Sequence, residues 1–433
     1  MKYAPIDPGL FKTNRERLAK LMPPKSLAVL NSNDMLPTNA DGTMRLWQNS
    51  DLFYLSGIDQ EESIFLLYPD ASDEKRREIL FLRESNPTLA TWEGHKLTKD
   101  QAREISGIKT VLWLSDFPRV FHQLMCECDG VCLNTNEHQR AVVEVETRDA
   151  RFVRDCRRRY PLHDYHRLAR YMHRLRMVKS DLEIDLIKNA CALTAKGFRR
   201  VLEFVKPGVT EMEIEAEYAQ EFIRGGGGFA YLPIIASGKN ACVLHYIDND
   251  QVCRKGQLVL LDVGASYAHY HSDLTRTLPI SGRFTRRQKE VYNAVLRVFR
   301  ETIRRMVPGK LSKDLQKEAE QLTENELLEL GLIKKTAVKK QDPDKPAFKQ
   351  YFMHGVSHPL GLDVHDVGCT TEPMQPGWVL TCEPGIYIPE EELAVRLETD
   401  ILITENGNID LMSDVPIEAE EIEQIMNARG ASE

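Results

Sequence analysis

Five side chains of metal-binding type fall in the C-terminal half of the chain, each beside a short apolar run. They are Asp262 in LVLLDVGASY, Asp273 in YHSDLTRT, His358 in HGVSHPLGLDVHD, Glu383 in TCEPGIYI and Glu398 in VRLETDI. If they serve one site, residues far apart in sequence must converge on it, which restricts the folds open to this chain. Four carboxylates and an imidazole exceed what a single catalytic zinc takes, usually three protein ligands and an open position. They suit a pair of divalent ions with carboxylates bridging between them. Such a pair can hold a hydroxide and clamp both oxygens of a tetrahedral intermediate, so the residues point to a dinuclear metallohydrolase.

The 433 residues exceed what one hydrophobic core normally supports, so two domains are expected. A formal charge of −8 argues against nucleic acid as the main partner, because phosphate binding needs a basic surface. The local basic run Arg154, Arg157, Arg158 and Arg159 reads as a solvated face. The N-terminal residues show no signal-peptide core and no stretch is long enough to span a membrane. The nine cysteines are scattered and form no C-x-x-C pair, so free thiols in a reducing cytoplasm are expected. Cys126, Cys128 and Cys132 lack a fourth ligand at zinc-finger spacing. The glycine run at 225–228 lacks the Lys-Ser/Thr of a phosphate loop and leads into a strand, so it reads as a flexible connection.

The fold class is α/β (α+β). Residues 27–133 alternate apolar runs (SLAVLNS, SIFLLYPD, EILFLRE, TVLWLSD) with polar segments, as strands of an α/β domain do. An Arg-rich segment follows to about Arg176. Ser180 and Glu183 form a capping box opening a helix to about Val205, and Thr210 and Glu213 open another to about Arg224. We therefore expect domains at 1–175 and 176–433. YLPIIAS, ACVLHYI, QLVLLDVG and YHSDLTRTLPI read as strands, and Thr285 with Gln288 caps a third helix. A fourth helix is expected at 311–330, an exposed loop at 334–346, three strand-like runs carrying His358, Glu383 and Glu398, and an amphipathic helix at 418–428.

Asp262 and Asp273 are eleven residues apart, with Gly264 between them where a bend is easy, so both carboxylates can face one point. His354 and His358 have the spacing of an H-E-x-x-H zinc helix, but Gly355 and Pro359 disfavour a helix. One imidazole can ligate while the other serves as an outer or substrate-contacting group. Glu383, before Pro384-Gly385, can ligate and also take a proton from water. Arg396 and Glu398 share a strand face. Arg396 either holds the outer oxygen of a metal-bound carboxylate or forms a surface salt bridge. His245 and His365 are either ordinary histidines or donors to a developing oxyanion.

As a set, LDVG, SDLTRT, HGVSHPLGLDVHDVG, EPGIYI and VRLETD closely resemble the M24 metallopeptidases of pita-bread fold, and among them the aminopeptidase P (Xaa-Pro aminopeptidase) group. QNSDLFYLSGIDQEES is similar to the segment that marks that group's N-terminal domain. The resemblance covers nearly the whole chain. It implies an N-terminal aminopeptidase P-type domain followed by a pita-bread catalytic domain. By it, Asp262 chelates one ion, Asp273 and Glu398 bridge both, and His358 and Glu383 complete the second, with Glu383 shuttling a proton. His245, His354 and His365 match active-site histidines, His365 contacting the substrate carbonyl and His354 the proline subsite. Tyr387 and Arg396 match positions near the metals. Asp41, in NADGTMRLWQNSD, and Trp92, in TWEG, align with N-terminal residues that reach the active site.

The implied reaction releases the first residue of peptides with proline second, through attack by a metal-bridging hydroxide. The carboxylate-rich set suits Mn²⁺, with Co²⁺, Fe²⁺ or Zn²⁺ also accepted. A homo-oligomer, dimer or tetramer, is expected. Prolidase, on the same fold, is the nearest alternative. A methionine aminopeptidase would not need the long N-terminal domain, and creatinase-like enzymes and non-catalytic relatives lack the full ligand set. Two departures bear on peptide-length preference: no basic residue lies between Val367 and Cys382, and the loop from Tyr387 to Arg396 is short.

Overall fold

Apolar runs in the N-terminal part are buried on both faces as strands, and they order the first unit. In the computed structural model, which describes residues 3–141 and 143–428, the chain divides into a unit Tyr3–Arg176 and a second unit from Met177 onward. The first unit is built on a six-stranded sheet in the order Thr110–Trp113, Glu78–Leu82, Ile64–Leu67, Ser26–Asn31, Gly130–Leu133, Asp164–Arg167. Ser26–Asn31 runs antiparallel to Ile64–Leu67 and parallel to Gly130–Leu133. Leu27, Val29, Leu66, Phe81 and Val131 pack with Phe121 and Leu124 of the helix Phe117–Met125 to form its core. The Arg-rich segment holds the helix Arg148–Arg159, whose Arg154, Arg157, Arg158 and Arg159 lie exposed.

The second unit begins with two helices whose starts are set by local chemistry. In Asp181–Phe204 and Glu211–Arg224 the N-cap hydroxyl accepts from the backbone three residues on, and the glutamate there returns the bond. Leu258–Asp262 is the middle strand of an antiparallel sheet between Thr275–Pro279 and Ile234–Ser237. A second sheet places Thr399–Thr404 between Val379–Cys382 and Gly407–Asp410, and Gly385–Ile388 pairs with Leu393–Arg396.

Five expectations differ from the structure, one being the strand expected to carry His358, which lies in irregular chain. ACVLHYI is not a strand: Gly238–Cys242 is a 3₁₀ helix, and a turn follows through His245. The buried Glu211 carboxylate gathers this segment from both ends, accepting from Ser237 N and Oγ at 2.7 Å each, Tyr246 Oη at 2.8 Å and Gln251 N at 3.0 Å. Side-chain acceptors of this kind compete with a strand's own ladder. YHSDLTRTLPI breaks into Tyr270–His271 and Thr275–Pro279, leaving Asp273 between strands. The expected loop at 334–346 contains a short, largely exposed helix, Lys335–Lys340. The glycine run is not a loose spacer. A Cβ on Gly227 would stand 2.5 Å from the backbone Ser266 O, so this position needs glycine for close packing, and Gly225 packs beside the Leu193 side chain.

Candidate metal centre

The two aspartates reach one point because the chain folds back between them. Asp262 ends its strand and lies opposite Thr275 in the antiparallel register, two residues past Asp273. The reversal is tight: a Cβ on Gly264 would come within 1.9 Å of Ser272 O. Tyr231 Oη stands 2.6 Å from Asp262 Oδ1 and 2.6 Å from Asp273 Oδ1. A phenol has one proton to donate. The second carboxylate must therefore carry a proton or share a cation with the first.

The remaining donors lie at strand ends or in irregular chain. His358 is outside any strand, next to the isolated bridge Pro359–Leu380. Its Nδ1 lies 3.0 Å from Pro359 O and so donates there, which turns the Nε2 lone pair toward the carboxylates. Nε2 is 3.5 Å from Asp273 Oδ2 and 3.7 Å from Glu383 Oε1. Glu383 follows Val379–Cys382, and its N–H donates to Val356 O at 2.9 Å. Glu398 sits between two strands, where its Oε2 accepts from Thr275 Oγ1 at 2.6 Å. Donor atoms of Asp273, His358 and Glu398 lie within 4.8 Å of one another, and all three residues are buried.

Arg396 and Tyr387 brace the centre. The guanidinium donates to Asp262 Oδ2 at 2.5 Å, to Tyr387 Oη at 2.8 Å and to Thr275 Oγ1 at 3.2 Å. Tyr387 Oη is also 2.8 Å from His354 Nε2, and His354 Nδ1 lies 3.6 Å from Glu383 Oε2. The His365 ring meets His358 edge-on, centroids 4.3 Å apart and planes at 83°. His245 is exposed on its turn, while its neighbour Tyr246 packs in a buried cluster with Tyr387 and Leu260. Asp41 and Trp92 belong to the N-terminal unit, where both are exposed.

Burial of so many carboxylates together is costly without positive charge. Desolvation, reinforced by Asp262, raises Asp273 well above the carboxylate range; desolvation and Asp273 do the same to Glu398. Burial pushes Glu383 up to about 7 against the opposing pull of His358 and Arg396. Burial, then Arg396, pushes His354 down to about 4, so its imidazole is neutral at physiological pH. Each raised carboxyl marks negative charge that a cation would neutralise, and the oxygen-rich donor set with one imidazole fits divalent ions of intermediate hardness. Asp273, His358 and Glu398 form the core of that donor set, with Asp262 and Glu383 flanking it.

Residues absent from the sequence-based candidates complete the centre. Thr275 braces Glu398, Asp400 Oδ2 accepts from Asp273 N at 3.0 Å, and Thr381 Oγ1 accepts from His358 N at 3.1 Å. Thr275 and Asp400 each lie two positions past a candidate ligand, a period-of-two signal available in the sequence. Tyr231 has no such signal, being 31 residues from Asp262.

The profile described as metallopeptidase family M24 matches residues 185–405, and the one described as the aminopeptidase P N-terminal domain matches residues 11–132. The chain is 34% identical to the Xaa-Pro aminopeptidase of Escherichia coli (strain K12), covering 96% of this chain and 97% of that one. It is 31% identical to Xaa-Pro aminopeptidase 3 of Homo sapiens, covering 87% and 76% respectively. Among solved structures, zinc-substituted E. coli aminopeptidase P in complex with product superposes with a TM-score of 0.87 at 33% identity, covering 98% of this chain and 99% of that one.

Proposed function

Because the chain belongs to metallopeptidase family M24, we propose that it is a Xaa-Pro aminopeptidase, releasing the first residue of peptides whose second residue is proline. The observation that carries this is the convergence of Asp273, His358 and Glu398 on one buried point, braced by Tyr231 and by the Arg396–Asp262 pair. Asp262, Asp273, His358, Glu383 and Glu398 would hold two divalent ions. Such ions, when bound, supply Lewis acidity that makes water nucleophilic near neutral pH and polarises a carbonyl.

The chain's own groups do the rest. Glu383 accepts the proton of the attacking water and passes it to the departing proline nitrogen, a base within reach of both. His365, whose ring is set against His358, donates to the carbonyl oxygen as negative charge develops there. His354, neutral and tied to Tyr387, lines the subsite for the proline ring, and His245, exposed on its turn, contacts the substrate. Asp41 and Trp92 are assigned to substrate contact from the N-terminal domain. A proline nitrogen carries no N–H, so this site grips the peptide through groups other than the one most peptidases use.

The donor set best suits Mn²⁺. The enzyme works as a homo-oligomer, and its nine cysteines, all free, suit a reducing cytoplasm. No helix among the described residues is long and apolar enough to cross a membrane. The test compares an X-Pro-Y tripeptide with an X-Pro dipeptide, using wild type and Glu383→Ala with Mn²⁺. Release of X from the tripeptide by wild type alone supports the proposal. Turnover of only the dipeptide would reassign the chain as a prolidase, and equal turnover by the variant would remove Glu383 from its role.

A further inference from the structure

Lys179 Nζ lies 3.2 Å from Asp366 Oδ2, and both side chains are 1% exposed. A fully buried ion pair is a poor source of net stability, because desolvating two charges offsets their attraction. Stability does not account for it, but geometry does. Lys179 is fixed at its backbone, where its N–H donates to Gly377 O at 2.8 Å. Asp366 is fixed on three sides: its N–H donates to Pro359 O at 2.9 Å, its Oδ1 accepts from Val367 N at 2.9 Å, and its Oδ2 faces the ammonium. The carboxylate also lies flat against Gly361, where any Cβ would come within 2.2 Å of Oδ2 and 3.0 Å of Lys179 Cε. Gly361 O in turn accepts from His271 N at 2.9 Å. This clamp closes the chain between Pro359 and Asp366 into a small ring, with His358 just before it and His365 as its penultimate residue.

We propose that the Lys179–Asp366 pair is a positioning device for His365, fixing the direction in which that imidazole meets the substrate carbonyl beside His358. The inference rests on the aminopeptidase reading of the site. A displacement of about 1 Å in a reacting group costs roughly 100-fold in rate, so a clamp on the adjacent residue has a kinetic consequence.

The experiment is a double-mutant cycle with an X-Pro-Y peptide, read as kcat and KM. Asp366→Asn should lower kcat/KM about 10- to 100-fold, chiefly through kcat. In a His365→Ala background it should add no more than about twofold, whereas in a His354→Ala background it should keep its full factor. Lys179→Met/Asp366→Leu, which replaces the pair by apolar groups, should stay folded, melting lower only through the unpaired Val367 N–H, yet show the same loss. The same factor from Asp366→Asn with and without His365 would overturn the inference, as would near-wild-type kinetics in the apolar double variant. Histidine-selective NMR of the metal-free protein gives an arm independent of turnover: Asp366→Asn should move the His365 ring signal and leave that of His354 in place. Failure of wild type to cleave the peptide would sink the proposed function, whereas an unmoved His365 signal would sink this inference.

Discussion

Arg396 Nη2 donates to Asp262 Oδ2 at 2.5 Å, with the two side chains 5% and 13% exposed. The guanidinium therefore orients one candidate ligand independently of any metal, and its other bonds to Tyr387 and Thr275 hold it in place. Arg396→Met should weaken metal binding about 10- to 100-fold, the usual range for a group that orients a ligand. It should also destabilise the metal-free fold by about 3–5 kcal/mol, because a buried carboxylate loses its partner. Calorimetric metal titration and thermal melting check both, and unchanged metal affinity would contradict this reading.

The buried carboxyls make stability depend on pH in a definite direction. Glu383 rises from its ordinary 4.5 to about 7 on folding, mainly through burial. A carboxyl raised in this way keeps its proton longer in the native state than in the unfolded chain. Its contribution is complete below the unfolded pKa and is lost as pH climbs through the folded one, at a cost of about 3 kcal/mol for this group alone. Asp273 and Glu398 shift in the same direction. The metal-free protein should thus melt at lower temperature as pH rises from about 5 to 8, while added Mn²⁺ should raise the melting temperature most at the upper end, where no protons need be displaced. A metal-free melting temperature that climbs across this interval would contradict the burial of these groups.

Gly264→Ala should abolish metal binding. Its Cβ would lie 1.9 Å from Ser272 O, so the strand end carrying Asp262 and the segment carrying Asp273 would be forced apart. The cost should exceed about 4 kcal/mol, a size confined to a few mechanisms such as this clash. Soluble yield and metal titration measure it, and a well-folded variant with normal metal content would show that the reversal tolerates a side chain.

Glu211→Ala should loosen the turn that carries His245. Four donors would lose their acceptor: Ser237 N, Ser237 Oγ, Tyr246 Oη and Gln251 N. Each buried donor left unpaired costs about 1–3 kcal/mol. Hydrogen exchange should show protection lost across residues 237–251 before the strands at the metal centre are affected, and unchanged protection there would contradict the clamp.

Local chemistry was legible wherever partners are close in sequence. Ser180 with Glu183, Thr210 with Glu213 and Thr285 with Gln288 each mark a helix start within three residues, and the helices begin there. The apolar runs YLPIIAS and QLVLLDVG supply the strands Ile234–Ser237 and Leu258–Asp262. The motif set also carried the family and the two-domain architecture of an aminopeptidase P-type domain followed by a pita-bread domain. Legibility failed where a distant side chain decides. ACVLHYI has a strand's composition, but the Glu211 carboxylate bends it into a turn. Spacing assigned Arg396 to the outer oxygen of a candidate ligand, and it does hold one, but that ligand is Asp262, 134 residues away, which spacing alone did not name. Tyr231 joins Asp262 to Asp273 through tertiary folding alone.

The central claim is that Asp262, Asp273, His358, Glu383 and Glu398 together hold a pair of divalent ions that the reaction requires. Titrating metal-stripped protein with Mn²⁺, while following release of the first residue from an X-Pro-Y peptide, tests it most directly. We predict two ions bound per chain, activity that returns with them, and loss of both in Glu398→Ala. Full turnover by the metal-stripped protein, or undiminished ion binding by that variant, would contradict it.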